Sequence, residues 1–250
     1  MKALAILLLT ASLLFLQTLA FGQQFKTNQL KYSRPKTAFK EKAEDFRQLL
    51  NSAGIDQKSL RIYLRAFKRE GILELWAKNK DDQAYQLIKT YAICSGSGDP
   101  GPKRMEGDFQ VPEGFYHIDR FNPWSNFYLS LGINYPNKSD KILGKKGKLG
   151  GDIFIHGNCV TIGCIPITDD QIKELYVFTV EAKHSGQQSI PVNIFPARMT
   201  DAMMVQLKKE HNNPELISFW EDIKPGFDHF EKYKQLPSII FLPNGKHQIR

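Results

Sequence analysis

The chain has 250 residues, of which 42% are hydrophobic and 24% are charged, and its formal net charge is +8. Beyond the first 22 residues no apolar run is long enough to cross a bilayer, which excludes a membrane-spanning segment there, and the length can bury one substantial core without a second large domain. The excess of basic over acidic residues, with a pI near 9.2, favours an anionic partner such as nucleic acid, a membrane surface or a cell wall. A basic surface without a dedicated partner is the alternative.

The amino terminus has the pattern of a secretory signal peptide. A lysine precedes an apolar run over residues 3–16, and the small residues Ala20 and Gly22 suit cleavage before Gln23. An uncleaved anchor is the alternative. We expect residues 1–22 to be removed on export to the periplasm or cell envelope, with no transmembrane segment left. Export favours the cell wall over nucleic acid as the anionic partner.

Helical spacing of apolar residues predicts two helices after the signal peptide. The first covers residues 37–51, and the second runs from Asp56 to Gly71. Residues 23–36 are polar and predict an extended lead-in. We therefore assign 23–71 to a helical amino-terminal extension, whose basic face either docks on the wall or is simply solvated.

From residue 72 the apolar side chains recur at every second position, which is typical of strands. Residues 72–94 predict a β-hairpin, and Phe115–Ile118 and Pro191–Phe195 predict further strands. Thr168 can cap a helix that begins at Asp169. The fold class predicted from these patterns is α+β.

The carboxy-terminal part is again helical in pattern. Apolar residues at helical spacing begin near Thr200 and continue beyond Pro214, and residues 237–242 predict a last short strand. We assign 197–250 to a helical carboxy-terminal extension with a last short strand.

A histidine and a thiol come close together within residues 150–168. The alternating pattern over 152–156 predicts a strand that ends at His156, and glycines mark a turn before Cys164. A cysteine with a reference pKa of about 8.5 is only a few per cent thiolate at neutral pH, and a neighbouring imidazole can remove its proton. Such a pair can perform acyl transfer, with the thiolate attacking a carbonyl and amides near Gly163 and Cys164 holding the oxyanion.

The Thr-Ile-Gly-Cys stretch at 161–164 follows a His-Gly pair at 156–157. This arrangement resembles the L,D-transpeptidase (YkuD-type) catalytic domain, which places its nucleophilic cysteine in a Ser/Thr-His-Gly-Cys motif after an earlier His-Gly pair. Ile162 stands where the usual histidine would be, and the gap between His156 and Cys164 is short. Both departures resemble the YafK-like branch of the family.

The resemblance implies Cys164 as the nucleophile, Gly163 as the turn and oxyanion residue, and His156 as the base. Residues 101–118 and 128–137 resemble the same branch and would border the substrate. The lysine and arginine of the first stretch would bind a carboxylate of a diaminopimelate-containing peptide, unless they are ordinary loop cations. The candidate substrate-binding residues are Lys103, Arg104, Asn134, Tyr135, Gly157 and Thr161.

The implied protein is an exported L,D-transpeptidase that acts on peptidoglycan peptide stems through a thioester at Cys164, without a cofactor or metal. A hydrolase or amidase that cuts a diaminopimelate-linked bond with the same nucleophile is the alternative, and a non-catalytic wall-binding module is a lesser one. A wall-linked protein is a further candidate partner. The implied fold is a mostly β, sandwich or barrel-like catalytic domain over 72–196, with helices before and after it.

Three cysteines leave at least one thiol without an intrachain partner. A disulfide between Cys94 and Cys159 would leave Cys164 free, whereas a resting disulfide between Cys159 and Cys164 would block it. A zinc cluster of His156, Cys159 and Cys164 is a third possibility, although it lacks a fourth ligand. The pattern does not rank the two disulfides.

Overall fold

The computed structural model describes residues 24–145 and 147–250, and the predicted signal peptide lies outside them. One eight-stranded sheet curls into a half-barrel flanked by helices, with 36% of the chain helical and 23% in strands, which confirms the predicted fold class. The strands follow the order β3-β2-β1-β8-β4-β5-β6-β7 across the sheet. They are β1 Leu60–Phe67, β2 Ile72–Asn79, β3 Gln86–Ala92, β4 Gly114–Asn122, β5 Ser130–Ile133, β6 Phe154–His156, β7 Ile165–Pro166 and β8 Pro191–Phe195.

After the helical residues 24–29, the described part of the chain has five α-helices, which we number α1 to α5. The predicted capped helix is α3, where the Thr168 hydroxyl accepts a hydrogen bond from the Gln171 amide at 3.3 Å. The Asn137 side chain and the Asp140 backbone form a capping box on the short α2. The helices are α1 Ser33–Ser52, α2 Lys138–Leu143, α3 Asp169–His184, α4 Asp201–Glu210 and α5 Pro214–Tyr233.

The amino-terminal predictions are partly wrong. Residues 24–29 are helical and α1 begins at Ser33, because Pro35 falls in the first turn, where a missing N–H is tolerated. The predicted second helix is strand β1, which pairs with β2 on one side and with β8 on the other. Seven of its eight residues are buried, Arg65 among them, so large apolar side chains occur on both faces and their spacing imitates a helix.

The sheet is covered by helices on both faces. Ile62 and Leu64 belong to the core shared with α1 and α3, whose Phe46 and Phe178 rings lie 4.8 Å apart. The alternate residue Phe67 instead packs with α4 and α5. This alternation follows the period of two in strand side chains, and it buries the sheet between two apolar layers.

The carboxy-terminal extension contains α4, α5 and a small two-stranded sheet. The predicted last strand is β9, Ile239–Phe241, and it pairs antiparallel with β10, His247–Ile249, which the sequence pattern did not indicate. Within the described residues, none of the helices is both long enough and apolar enough to cross a membrane.

Candidate active site

The two central strands of the motif are parallel neighbours. Ile155 lies opposite Ile165 and His156 lies opposite Pro166, so β6 and β7 run side by side, with the turn of residues 157–163 between them. Cys164 immediately precedes β7. Parallel pairing therefore brings the histidine strand and the cysteine turn to the same edge of the sheet.

A disulfide ties this turn to the end of β3. Cys94 and Cys159 are bonded, with their Cα atoms 5.4 Å apart, and Cys164 is the remaining free thiol of the three cysteines. The alternative disulfide between Cys159 and Cys164 is therefore wrong. The zinc cluster loses its Cys159 ligand for the same reason, and no group of three suitable side chains occurs among the described residues.

The Cys164 sulfur faces the backbone of the strand that carries the histidine. Its thiol lies 3.7 Å from the Asp152 carbonyl oxygen, to which it donates. Burial raises the pKa of this thiol, and the Asp152 carboxylate raises it further. The Phe154 amide and the Lys103 ammonium lower the pKa, but their effects are smaller than that of burial. The raised pKa favours the neutral thiol near pH 7, so the group would need a base to become a nucleophile.

The raised thiol pKa predicts slow alkylation at neutral pH. The rate of reaction of Cys164 with iodoacetamide should rise with pH through a midpoint above the value of about 8.5 for a free cysteine, because only the thiolate reacts. The measurement is the alkylation rate by mass spectrometry between pH 6 and about pH 11, a range chosen to bracket that value. The control is the same chain in urea, where Cys164 remains the only free thiol but is solvated. A native midpoint at or below that of the unfolded chain would contradict the prediction.

The His156 imidazole is nearly enclosed, with 1% of the residue exposed. Its Nδ1 lies 2.5 Å from the Gly157 carbonyl oxygen, so Nδ1 carries the proton and Nε2 keeps its lone pair. The Phe127 ring lies against the imidazole with centroids 4.5 Å apart. Burial lowers the pKa of His156, which keeps it neutral near pH 7.

The orientation of His156 therefore comes from a backbone carbonyl. Asp169, a candidate for this role by position, instead accepts the Asn158 amide at 2.8 Å, and Thr168 caps α3. No hydrogen bond joins the imidazole to the thiol within the described residues. The thiol has to turn from the Asp152 carbonyl to reach a base.

Two amides at the candidate nucleophile converge on one oxygen. The Gly163 and Cys164 amides donate to the Thr161 hydroxyl oxygen at 3.1 and 2.8 Å, and that hydroxyl donates to the Cys164 carbonyl at 2.9 Å. Convergence of two N–H groups on one oxygen is the arrangement that an oxyanion hole requires. Here the Thr161 oxygen occupies that position. The φ angle of +135° at Gly163 explains the glycine in this turn.

Gly157 has a packing role beside the histidine. A Cβ atom there would lie 2.5 Å from the Asp169 carboxylate and 2.9 Å from the Phe127 carbonyl oxygen, distances that no side chain tolerates. The absence of a side chain at Gly157 thus allows the Phe127 backbone and the start of α3 to approach the end of β6, where His156 lies. Ile162, which stands in place of the family's usual histidine, is 75% exposed.

A cavity of about 200 Å³ opens beside Cys164. One wall consists of residues 95–100, the Ser-Gly-Ser-Gly-Asp-Pro stretch that has no phosphate-binding motif, and the Ser97 hydroxyl oxygen there is buried without a hydrogen-bond partner among the described residues. The other lining residues are Ala66, Lys68, Arg69, Ile93, Val111, Cys164, Ile165 and Ile194. Sequence reasoning missed this wall because β1, β3 and β8 meet here only in the fold.

A buried ion pair holds the wall in place. The Glu113 carboxylate, fully buried, accepts the Gly101 amide at 2.7 Å and the Trp220 indole N–H at 2.8 Å, and lies 2.9 Å from the Lys68 ammonium. Lys68 also donates to the carbonyls of Asp99, Gly101 and Val111. Glu113 therefore fixes the loop of residues 95–101 against both β1 and α5.

Replacing Glu113 with glutamine should strongly destabilise the chain. The change leaves the Lys68 ammonium, 12% exposed, without its carboxylate and puts an amide N–H₂ among donors. We expect a loss of about 3–5 kcal/mol in the free energy of unfolding, the usual cost of breaking a buried pair. Urea unfolding measures it, and E106Q, at an exposed position nearby, should change stability by less than about 0.5 kcal/mol. Equal stability of the two variants would contradict this role for Glu113.

Lys103 and Arg104, which the sequence predicts as ligands of a substrate carboxylate, already have partners within the protein. Lys103 is 5% exposed and lies 2.6 Å from Asp108, and its ammonium also donates to the Met105 carbonyl. Arg104 lies 3.3 Å from Asp140, and its guanidinium covers the Phe219 ring at 4.9 Å. The structure thus gives the Lys103 ammonium no open face for a substrate carboxylate.

The predicted substrate-binding residues Asn134 and Tyr135 also have hydrogen-bond partners within the protein. The Asn134 side-chain oxygen accepts the His117 amide at 2.8 Å. The Tyr135 hydroxyl donates to the Leu149 carbonyl at 3.1 Å, and burial raises its pKa. The structure places both side chains in backbone hydrogen bonds within the core domain.

Comparisons with known proteins identify the family of this chain. The YkuD family model, described as the L,D-transpeptidase catalytic domain, matches residues 63–194, from β1 to β8. The chain belongs to the L,D-transpeptidase family. The YafK protein of Escherichia coli strain K12 is 40% identical over 190 residues, which is 75% of this chain and 73% of YafK. The match starts within β1, ahead of the predicted domain boundary at residue 72.

Two solved structures of bacterial proteins are also similar to this L,D-transpeptidase family member. The helical cell shape determining protein Pgp2 of Campylobacter jejuni is 19% identical with a TM-score of 0.45, over 79% of this chain and 80% of Pgp2. Bd1075 of Bdellovibrio bacteriovorus is 20% identical with a TM-score of 0.40, over 72% of this chain and 76% of Bd1075. Family membership stands on the sequence matches alone.

Proposed function

We propose that the protein is an exported cysteine acyl transferase that acts on peptidoglycan peptide stems through a thioester at Cys164. The observation that carries the proposal is the free thiol on the wall of a cavity, next to a turn whose two amides converge on one oxygen. Family membership supports a peptidoglycan substrate, and a periplasmic location follows from that substrate.

In the first step Cys164 attacks the carbonyl of a donor peptide. His156 Nε2 takes the thiol proton, the sulfur bonds to the carbonyl carbon, and the oxyanion takes the place of the Thr161 oxygen at the Gly163 and Cys164 amides. The leaving amine departs with the proton from His156. A neutral imidazole with a lowered pKa suits this role, because its Nε2 is free to accept.

In the second step an amine of another chain attacks the thioester. A new amide bond forms, the carbon–sulfur bond breaks, and the thiol regains its proton through His156. Water in place of the amine would give hydrolysis with the same residues. The acceptor therefore separates the transferase from the hydrolase.

The test is to trap the acyl-enzyme and identify its products. After exposure to a carbapenem-type β-lactam, intact mass should increase by one adduct, and peptide mapping should place it on Cys164. Incubation with purified disaccharide-tetrapeptide should then yield cross-linked dimers. Shortened peptides alone would identify a hydrolase, and the absence of any adduct together with unchanged peptides would overturn the proposal.

A further inference from the structure

A second and larger cavity lies next to the nucleophile cavity. Its volume is about 790 Å³, within the range of ligand sites, whereas the about 200 Å³ beside Cys164 falls below that range. Pro100 lines both cavities, so they are neighbours across the loop that Glu113 holds. We call the larger cavity the α5 groove.

The α5 groove has walls from two parts of the chain. One wall comes from the loop around Arg104 and from Ile142 and Leu143 of α2; the other comes from the start of α5 and from the loop before β10. The second wall lies beyond residues 63–194, the part that the family match covers. The groove thus depends on the carboxy-terminal extension.

The groove presents both signs of charge together with apolar surface. The Lys246 ammonium contacts only the Ser218 hydroxyl, at 3.3 Å, and the Glu215 carboxylate has no partner among the described residues. Ile142 and Leu143 are 41% and 38% exposed.

We propose that the α5 groove binds the second peptide stem, the one whose amine accepts the acyl group. This inference rests on the proposed function, because transfer needs room for two peptides and the cavity at Cys164 is too small for both. A peptidoglycan stem carries free carboxylates, which match the Lys246 ammonium, and its amine stays free for the thioester. Gln110 lines the groove and also lies at the turn of Cys164, where a Cβ atom on Gly163 would be 3.1 Å from the Gln110 carbonyl oxygen, so a stem that leaves the groove past Gln110 comes to that turn.

Binding to a chain with a blocked nucleophile tests the inference without catalysis. The full mature chain is alkylated at Cys164 with iodoacetamide and titrated calorimetrically with purified disaccharide-tetrapeptide. Ile142→Glu should raise the dissociation constant roughly 5- to 10-fold, because it puts a charge on the apolar wall. Ile240→Glu, at an isoleucine that is 40% exposed on β9, is the matched control and should stay within about twofold.

Equal affinities of the two variants, or no binding to the alkylated parent, would overturn the inference. Thermal unfolding of both variants checks that each folds. In the transfer reaction, Ile142→Glu should raise the KM for the acceptor relative to Ile240→Glu. If no chain forms an acyl-enzyme, the proposed function fails, while the titration still decides whether the groove binds a peptide.

Discussion

Replacement of Cys164 by alanine should abolish the carbapenem adduct and all turnover of peptide stems. The sulfur is the only group at this position that can form a thioester, and the other two cysteines are bonded to each other. Because the hydrogen bond that the thiol donates to the Asp152 carbonyl is long, at 3.7 Å, we expect the free energy of unfolding to change by less than about 1.5 kcal/mol. Intact-mass spectrometry and chromatography of the muropeptides measure the loss.

The matched control for this substitution is Ile162→Ala, two residues away. Its side chain is 75% exposed and makes no part of the proposed chemistry. Ile162→Ala should therefore keep the adduct on Cys164, and its unfolding midpoint should match that of the parent. An adduct that persists in Cys164→Ala would place the nucleophile on another residue and remove the basis of the proposed mechanism.

Local patterns predicted the elements that prolines or a helix cap delimit. Strand β8 was predicted with its observed bounds, Pro191–Phe195, because proline residues and an apolar run delimit it. The helix after Thr168 was found from its cap. Strand β1 failed because burial on both faces removes the alternation that marks a strand, and only its partners β2 and β8 determine its conformation.

The candidate site likewise has parts that local sequence patterns predict and parts that only the fold brings together. The turn at Gly163 and the thiol at Cys164 are local features, and the sequence placed them next to the histidine strand. The contacts of Glu113 with Lys68, Gly101 and Trp220 join residues up to 107 positions apart, so no spacing rule could indicate them. The partner of Lys103 is only five residues away, but an exposed and a buried lysine look alike in sequence.

Replacement of His156 by glutamine should lower the rate of carbapenem acylation by about 10²–10⁴, the usual contribution of a general base. The thiol pKa is raised by burial, so without a base very little thiolate is present at pH 7. In the parent, acylation should fall as pH decreases through the lowered pKa of His156, because a protonated imidazole cannot accept the thiol proton. In H156Q that acid limb should disappear, and the rate should follow thiolate formation towards high pH.

The pH profile separates a base from a residue that merely packs. If His156 only filled the space beside Phe127, glutamine would lower the rate by the same factor at every pH and the acid limb would remain. The control is His117→Gln, since His117 is an exposed histidine of β4 and its backbone amide, not its ring, bonds Asn134. H117Q should keep both the rate and the profile of the parent. A base at position 117 would show the opposite pattern, with the acid limb lost in H117Q and kept in H156Q.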